Sequence, residues 1–169
     1  MNSPTKIGLD IDGVLANFTL AWHRLYPEIS PTPNTWFLDD KIHDRLNSMR
    51  DNNILNDFYL NIEPYLDSIN LPFKPHCYIT SRPVPREITE EWLKKHKFPH
   101  NNVFSLDILT SKVSAAKESG LEVFVDDSYD NFIDLNNAGV KTYLYSQPWN
   151  IMYDVGDLRI DSLNDLPLH

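Results

Sequence analysis

The sequence predicts a Rossmann-like α/β fold, a parallel sheet flanked by helices, with a small helical cap inserted after the first strand. Three observations lead there. From His76 onward, apolar strand-like runs alternate with helical patterns, the order that builds a parallel sheet covered on both faces. Those runs end in acids or hydroxyls: Asp10 and Asp12, then Thr80, then Asp126 and Asp127. Residues 17–72 hold aromatic, helix-spaced segments and no obvious strand of the parallel-sheet kind. The expected division is a core of residues 1–16 and 73–169 and a cap of residues 17–72.

A chain of 169 residues suits one domain with a small insertion and is long enough to bury a core. Its net charge of −9 argues against a general nucleic-acid binder, because a polyanion would be repelled. Cys77 is the single cysteine, so no internal disulfide forms, and a reducing, cytoplasmic setting is expected. MNSPTK lacks a signal-peptide core, and no apolar run is long enough to span a membrane. The composition leaves a homodimer open.

The first strand is Ile7-Gly8-Leu9, and it runs directly into Asp10 and Asp12. Residues two apart on an extended chain point the same way, so both carboxylates leave one face at the strand's end. An Asp-Gly hairpin turn would account for Asp12-Gly13 but gives no reason for Asp10. Carboxylates beside an apolar strand need a cation, a proton or hydrogen bonds to compensate them. A metal site with one Asp free to act as nucleophile supplies that reason.

Residues 18–26 have helical spacing, with Phe18, Trp22, Leu25 and Tyr26 on one side. Pro27, Pro31 and Pro33 break the pattern. After Trp36-Phe37-Leu38, residues 39–52 read as a polar helix with an Ile42, Leu46 and Met49 stripe. Residues 53–62 are mixed, and Glu63-Pro64-Tyr65-Leu66 looks like a helix start. By default the aromatics of this stretch form the cap's own core, and the sharper expectation is that one or two face a base-sized ligand.

The second strand, His76-Cys77-Tyr78-Ile79, ends in Thr80-Ser81-Arg82-Pro83. Its hydroxyls could cap the following helix or meet a bound phosphate, and the two roles are compatible. Arg82 could grip phosphate with its planar fork or lie on the surface. Residues 85–95 read as a helix, Val103-Phe104 as a short strand, and residues 112–119 as a helix closed by Gly120. Lys112 at a helix start works against the helix dipole unless it serves a phosphate or pairs with acids; Lys117 competes for that role. Residues 121–125 form a buried strand with Asp126 and Asp127 at its tip. One acid would suffice to cap the helix at residues 129–137, so a metal explains the pair better. A strand at residues 140–145, a short closing strand around Leu158-Arg159-Ile160 and a segment at residues 163–168 against the core complete the chain.

The DIDGVLANF segment resembles the first motif of haloacid dehalogenase-like phosphatases, and ITSRP, Lys112 and VDDS follow in the order of the other three. Together with the aromatic insertion and Glu63-Pro64, these segments look like the 5′(3′)-deoxyribonucleotidase group, over residues 6–148. The residues after Thr80-Ser81 depart from that group's usual sequence.

The resemblance implies Asp10 as nucleophile, Asp12 as general acid and base, and Thr80 and Lys112 as partners of the transferring group. It implies Mg²⁺ held by Asp10, the backbone carbonyl of Asp12, Asp126 and Asp127. Phe18 occupies the place of a base-stacking aromatic, with Trp36 as a second wall and Ser81 and Arg82 as further substrate contacts. The implied activity is that of a Mg²⁺-dependent phosphomonoesterase, a 5′-nucleotidase acting on nucleoside or deoxynucleoside monophosphates. The alternatives are a phosphatase of a sugar or other small phosphate, and a non-catalytic scaffold that binds a phosphorylated ligand.

Overall fold

Short runs that are apolar at every position cannot face water on either side, and here they become the middle of a covered sheet. The computed structural model describes residues 4–28 and 40–167. Its strands are β1 (Ile7–Leu9), β2 (Cys77–Thr80), β3 (Asn102–Ser105), β4 (Val123–Asp126), β5 (Lys141–Tyr145) and β6 (Arg159–Ile160). They form one six-stranded sheet in the order β3-β2-β1-β4-β5-β6, with every pair parallel. The chain reverses its direction of winding at β1, which has β2 on one side and β4 on the other. In sheets of this kind ligands bind beyond the strand C-termini at that point.

Period-two alternation sends neighbouring side chains to opposite faces. Leu9, Tyr78, Val125 and Tyr143 join one apolar cluster, while Cys77, Ile79 and Phe124 join another. Helix α4 (Arg86–Lys95) covers the first face through Trp92 and Leu93. Helices α5 (Val113–Glu118) and α6 (Tyr129–Asn137) cover the second through Ala115, Ala116 and Leu135. Cys77 is buried there, and burial pushes its thiol pKa up, consistent with an inert core position. Among the described residues no helix is long and apolar enough to cross a membrane.

Between β1 and β2 lie α1 (Phe18–Leu25), α2 (Asp40–Asp51) and α3 (Leu55–Leu60). The expected stripe of α2 is buried at Ile42, Leu46 and Met49. Leu25 corrects the reading of α1, since it is 53% exposed while Phe18 and Trp22 form the buried side. The mixed stretch after α2 is also helical, because Phe58 and Tyr59 are drawn onto the Phe18 and Trp22 rings while Leu55 is buried in the same cluster. Glu63 to Leu66 does not start an α-helix. Asn17 N–H donates to the Glu63 carbonyl and Tyr65 N–H to the Leu15 carbonyl, so the way out of the insertion is tied to the way in. A single 3₁₀ turn, Leu66–Ser68, follows. The inserted helices share one continuous apolar cluster with β1, β2 and α4. Pro31, Pro33, the Trp36-Phe37-Leu38 segment and Leu168 lie outside the described residues.

Candidate active site

The site is built where β1, β2 and β4 end. Past β1 the chain turns tightly, with the N–H groups of Leu15 and Ala16 both donating to the Ile11 carbonyl at 2.8 Å. Gly13 makes that turn possible with φ +85, a backbone region that L side chains rarely adopt. It also lets the chain come close to β4, because a Cβ at Gly13 would stand 2.3 Å from the Asp127 carboxyl. A Gly13→Ala variant is therefore expected to push Asp127 aside. Backbone strain of this kind costs about 1–3 kcal/mol, so both a lowered Tm and weakened divalent-cation binding by calorimetry are expected.

Asp10, Asp126 and Asp127 are all buried, and each offers a carboxylate oxygen to a group lying within 4.8 Å. Lys112, directly before α5 and 2% exposed, sits among them. Its Nζ is 2.8 Å from Asp10 and 2.7 Å from Asp126. Burial pulls the Lys112 pKa down, and the two carboxylates more than reverse this, so the ammonium is held charged. The competing Lys117 lies in the last turn of α5. Asp126 also accepts from the Ser128 N–H at 2.8 Å and from Asn131 Nδ2. Asp127 accepts from the Trp149 indole N–H at 2.8 Å. Ser128 caps α6 with its hydroxyl, which leaves both acids available for other work.

One ammonium does not balance three buried carboxylates. Burial raises the Asp10 pKa to about 7, assisted by Asp126 and Asp12 and opposed by Lys112. Burial likewise drives Asp127 well above the usual carboxylate range, with Asp126 and Asp10 adding to the shift. Hard oxygen donors that hold protons for want of positive charge fit a divalent cation. The sign of the pH effect follows. With its folded pKa above the ordinary 3.8, Asp10 contributes most to the metal-free fold below about pH 4, and that contribution is lost as pH rises through about 7. A cation replaces those protons, so its stabilising effect should grow over the same interval. At a hundredfold excess over Kd the mass-action gain is about 2.7 kcal/mol, or roughly 5–10 °C in Tm. Thermal melts with and without cation should show a shift of that size at about pH 8 and a much smaller one at about pH 5.

A cavity of about 570 Å³ opens over this cluster, lined by Asp10, Asp12, Thr80, Ser81, Lys112 and Asp127 at its floor. Phe18, Ile42, Leu46 and Tyr59 of the inserted helices add apolar lining, as do the rings of Tyr129, Trp149 and Tyr153. Thr80 is 1% exposed, and its hydroxyl has no hydrogen-bond partner. A buried orphan hydroxyl at a cavity floor is costly unless a ligand satisfies it. The structure thus brings Asp10, Asp12, Phe18, Thr80, Ser81, Lys112 and Asp127 to one cavity, with Asp126 buried beside Asp10, Asp127 and Lys112. Trp36 lies outside the described residues. Arg82 is placed differently: it does not line the cavity and sits buried behind Asp12.

Sequence reasoning missed the loop after β5. Gln147 Nε2 donates to the Gly13 carbonyl, and Asn150 Nδ2 donates to the Asp127 carbonyl, both at 2.8 Å. With Trp149 these residues brace the two acidic turns against each other. The loop has no periodicity, so only the presence of polar side chains among irregular sequence could have drawn attention to it.

The fold is shared with known structures. An L-2-haloacid dehalogenase superposes with a TM-score of 0.61 at 9% identity, covering 96% of this chain and 97% of that one. CbbY from Rhodobacter sphaeroides, solved with phosphate, gives 0.57 at 13% identity, covering 95% of each chain. At such identities the likeness is one of fold, and the chain has the Rossmann-like α/β fold of these haloacid dehalogenase-type structures. Among curated proteins, a nucleotidase of Clostridium acetobutylicum is 32% identical over 63 residues, which is 37% of this chain and 32% of that protein. The match thus spans about a third of the length of that relative. No protein-family model matches the chain.

Proposed function

We propose that this chain is a Mg²⁺-dependent phosphomonoesterase of the haloacid dehalogenase type, acting on nucleoside monophosphates. The observation that carries the reading is the Asp10, Asp126 and Asp127 group around Lys112, with the orphan Thr80 hydroxyl on the same cavity floor. A binding scaffold has no use for a nucleophile beside an acid and base, which disfavours the non-catalytic alternative. Mg²⁺ would be held by Asp10, the backbone carbonyl of Asp12, Asp126 and Asp127. When bound, it offsets carboxylate charge and lets an anionic phosphoryl group approach Asp10.

The chain's own residues then divide the work. An Asp10 carboxylate oxygen attacks phosphorus, and the bond from phosphorus to the ester oxygen breaks. Asp12 gives its proton to that oxygen, and the alcohol leaves. In the second half, water attacks the aspartyl-phosphate while Asp12 takes the water's proton. The Asp10–phosphorus bond breaks, releasing inorganic phosphate and restoring both side chains. Thr80 and Ser81 donate hydrogen bonds to phosphoryl oxygens, and Lys112 steadies Asp10.

Residues 17–72 serve in this reading as the cap over a core of residues 1–16 and 73–169. A cavity of about 570 Å³ suits a nucleotide-sized molecule, and the aromatic side chains of Phe18 and Tyr59 are among those that would meet a base. The curated relative's name, nucleotidase, supports the same substrate class. The net charge of −9 disfavours a polynucleotide. A cytoplasmic setting, suggested by the lone buried Cys77, completes the proposal. A sugar phosphate is the second reading, favoured by the CbbY structure solved with xylulose-1,5-bisphosphate.

Phosphate release from a panel of nucleoside and sugar monophosphates, with Mg²⁺ or EDTA, tests all of this. Metal-dependent turnover with nucleotides preferred is expected. A preference for sugar phosphates would move the substrate assignment to the second reading. Cation binding without turnover of any ester would sink the enzymatic one.

A further inference from the structure

We infer that Arg82 is a positioning residue for Asp12, holding its carboxyl group, protonated for this step, in line to give its proton to the leaving group. The inference rests on the phosphomonoesterase reading above. Arg82 is 1% exposed. Its Nε donates to Asp12 Oδ2 at 2.9 Å and its Nη2 to Asp12 Oδ1 at 2.7 Å, so both carboxylate oxygens are gripped by one planar fork. The guanidinium is itself held against two rings, 4.9 Å from the Trp92 ring centroid and 5.2 Å from that of Tyr59. It does not line the cavity, whereas Asp12 does. The cation therefore meets Asp12 from behind, away from the place a phosphate would take.

The need for such a strut comes from the backbone. Asp12 stands on the tight turn after β1, and two side-chain torsions separate its carboxyl from the chain. Proton transfer in a transition state requires the donor within hydrogen-bond reach, and a positioned acid contributes about 10²–10⁴-fold. The Arg82 fork takes one lone pair on each oxygen, and a second site on each remains for the proton that is transferred. Because Tyr59 belongs to α3 and Trp92 to α4, the strut also joins the inserted helices to the reacting end of the site.

The leaving group supplies the test. An alkyl phosphate must have its departing oxygen protonated, while p-nitrophenyl phosphate releases a stable anion without a proton. The comparison uses kcat/KM, which reports the transfer to Asp10 and excludes the later hydrolysis, where Asp12 acts on both esters alike. In Arg82→Met, kcat/KM for the best nucleoside monophosphate should fall about 10²-fold or more, against less than about 10-fold for p-nitrophenyl phosphate. Arg82→Lys, which keeps charge and bulk but loses the fork, should show the same split at smaller size. Equal losses on both esters, or no loss on either, overturn the inference while leaving the phosphomonoesterase reading intact. If wild-type protein hydrolyses neither ester, that reading fails and the inference falls with it. Should Arg82→Met not fold, the ratio measured in Arg82→Lys decides alone, and a ratio equal to wild type overturns the proposal.

Discussion

If the proposed function holds, an Asp10→Asn variant should release no phosphate above background, a loss of at least about 10⁴-fold in kcat, while remaining folded. Removing a nucleophile that forms a covalent intermediate costs about 10⁶-fold in well-studied hydrolases, and an amide in the same place cannot form the acyl phosphate. The fold survives because two effects of opposite sign meet at this position. Asn relieves the repulsion that Asp126 and Asp12 exert on Asp10, and it removes one of the two ion pairs of Lys112. A Tm within about 4 °C of wild type is expected. Rapid-quench kinetics with p-nitrophenyl phosphate make the assignment specific. Wild type should give a burst where phosphoryl transfer outruns hydrolysis, and the variant should give none. Retained turnover would place the nucleophile on another residue.

The largest effect on stability belongs to Lys112→Met. The side chain is 2% exposed and is the only cation within salt-bridge distance of Asp10 and Asp126 among the described residues. Removing one partner of a buried ion pair typically costs about 3–5 kcal/mol, because the charge left behind stays desolvated. That cost should depend on pH. Asp10 takes up its proton below about pH 7, and Asp127 also holds its proton well above the ordinary carboxylate range. Neutral acids need no counter-charge. Urea denaturation should therefore show the full loss at about pH 8 and a clearly smaller one at about pH 5, with Mg²⁺ recovering part of the difference. An equal loss at both pH values would mean that Lys112 acts through packing alone.

Both predictions concern residues that the amino-acid sequence singles out on its own. Asp10, Asp12, Asp126 and Asp127 stand where apolar runs stop, and a charged side chain at the tip of a buried strand has few structural reasons to be there. Lys112 stands out as a cation at the wrong end of a helix. The inner strands are legible for the same reason, since β1, β2 and β4 are short, mostly apolar runs that lead into polar residues. Helix α3 is not legible. Its six residues have no clear period, and they are helical because Phe58 and Tyr59 pack on rings from α1. Leu25 departs from its expected place because helical spacing tells which residues share a face and not how much of that face is covered.

Arg82 marks the limit most clearly. It lies 70 residues from Asp12, and no local pattern separates a phosphate grip, a surface cation and a buried strut. The same holds for Trp149, 22 residues from Asp127, and for Gly13, whose missing side chain makes room for that carboxylate. By itself the sequence determined the layered α/β architecture, the strand ends that carry acids and the chemistry those acids suit, because periodicity and the cost of burying charge act locally. Only the tertiary structure decided which charges meet. Those pairings depend on β1 lying between β2 and β4, and a contact between distant residues exists only once the sheet has closed around it.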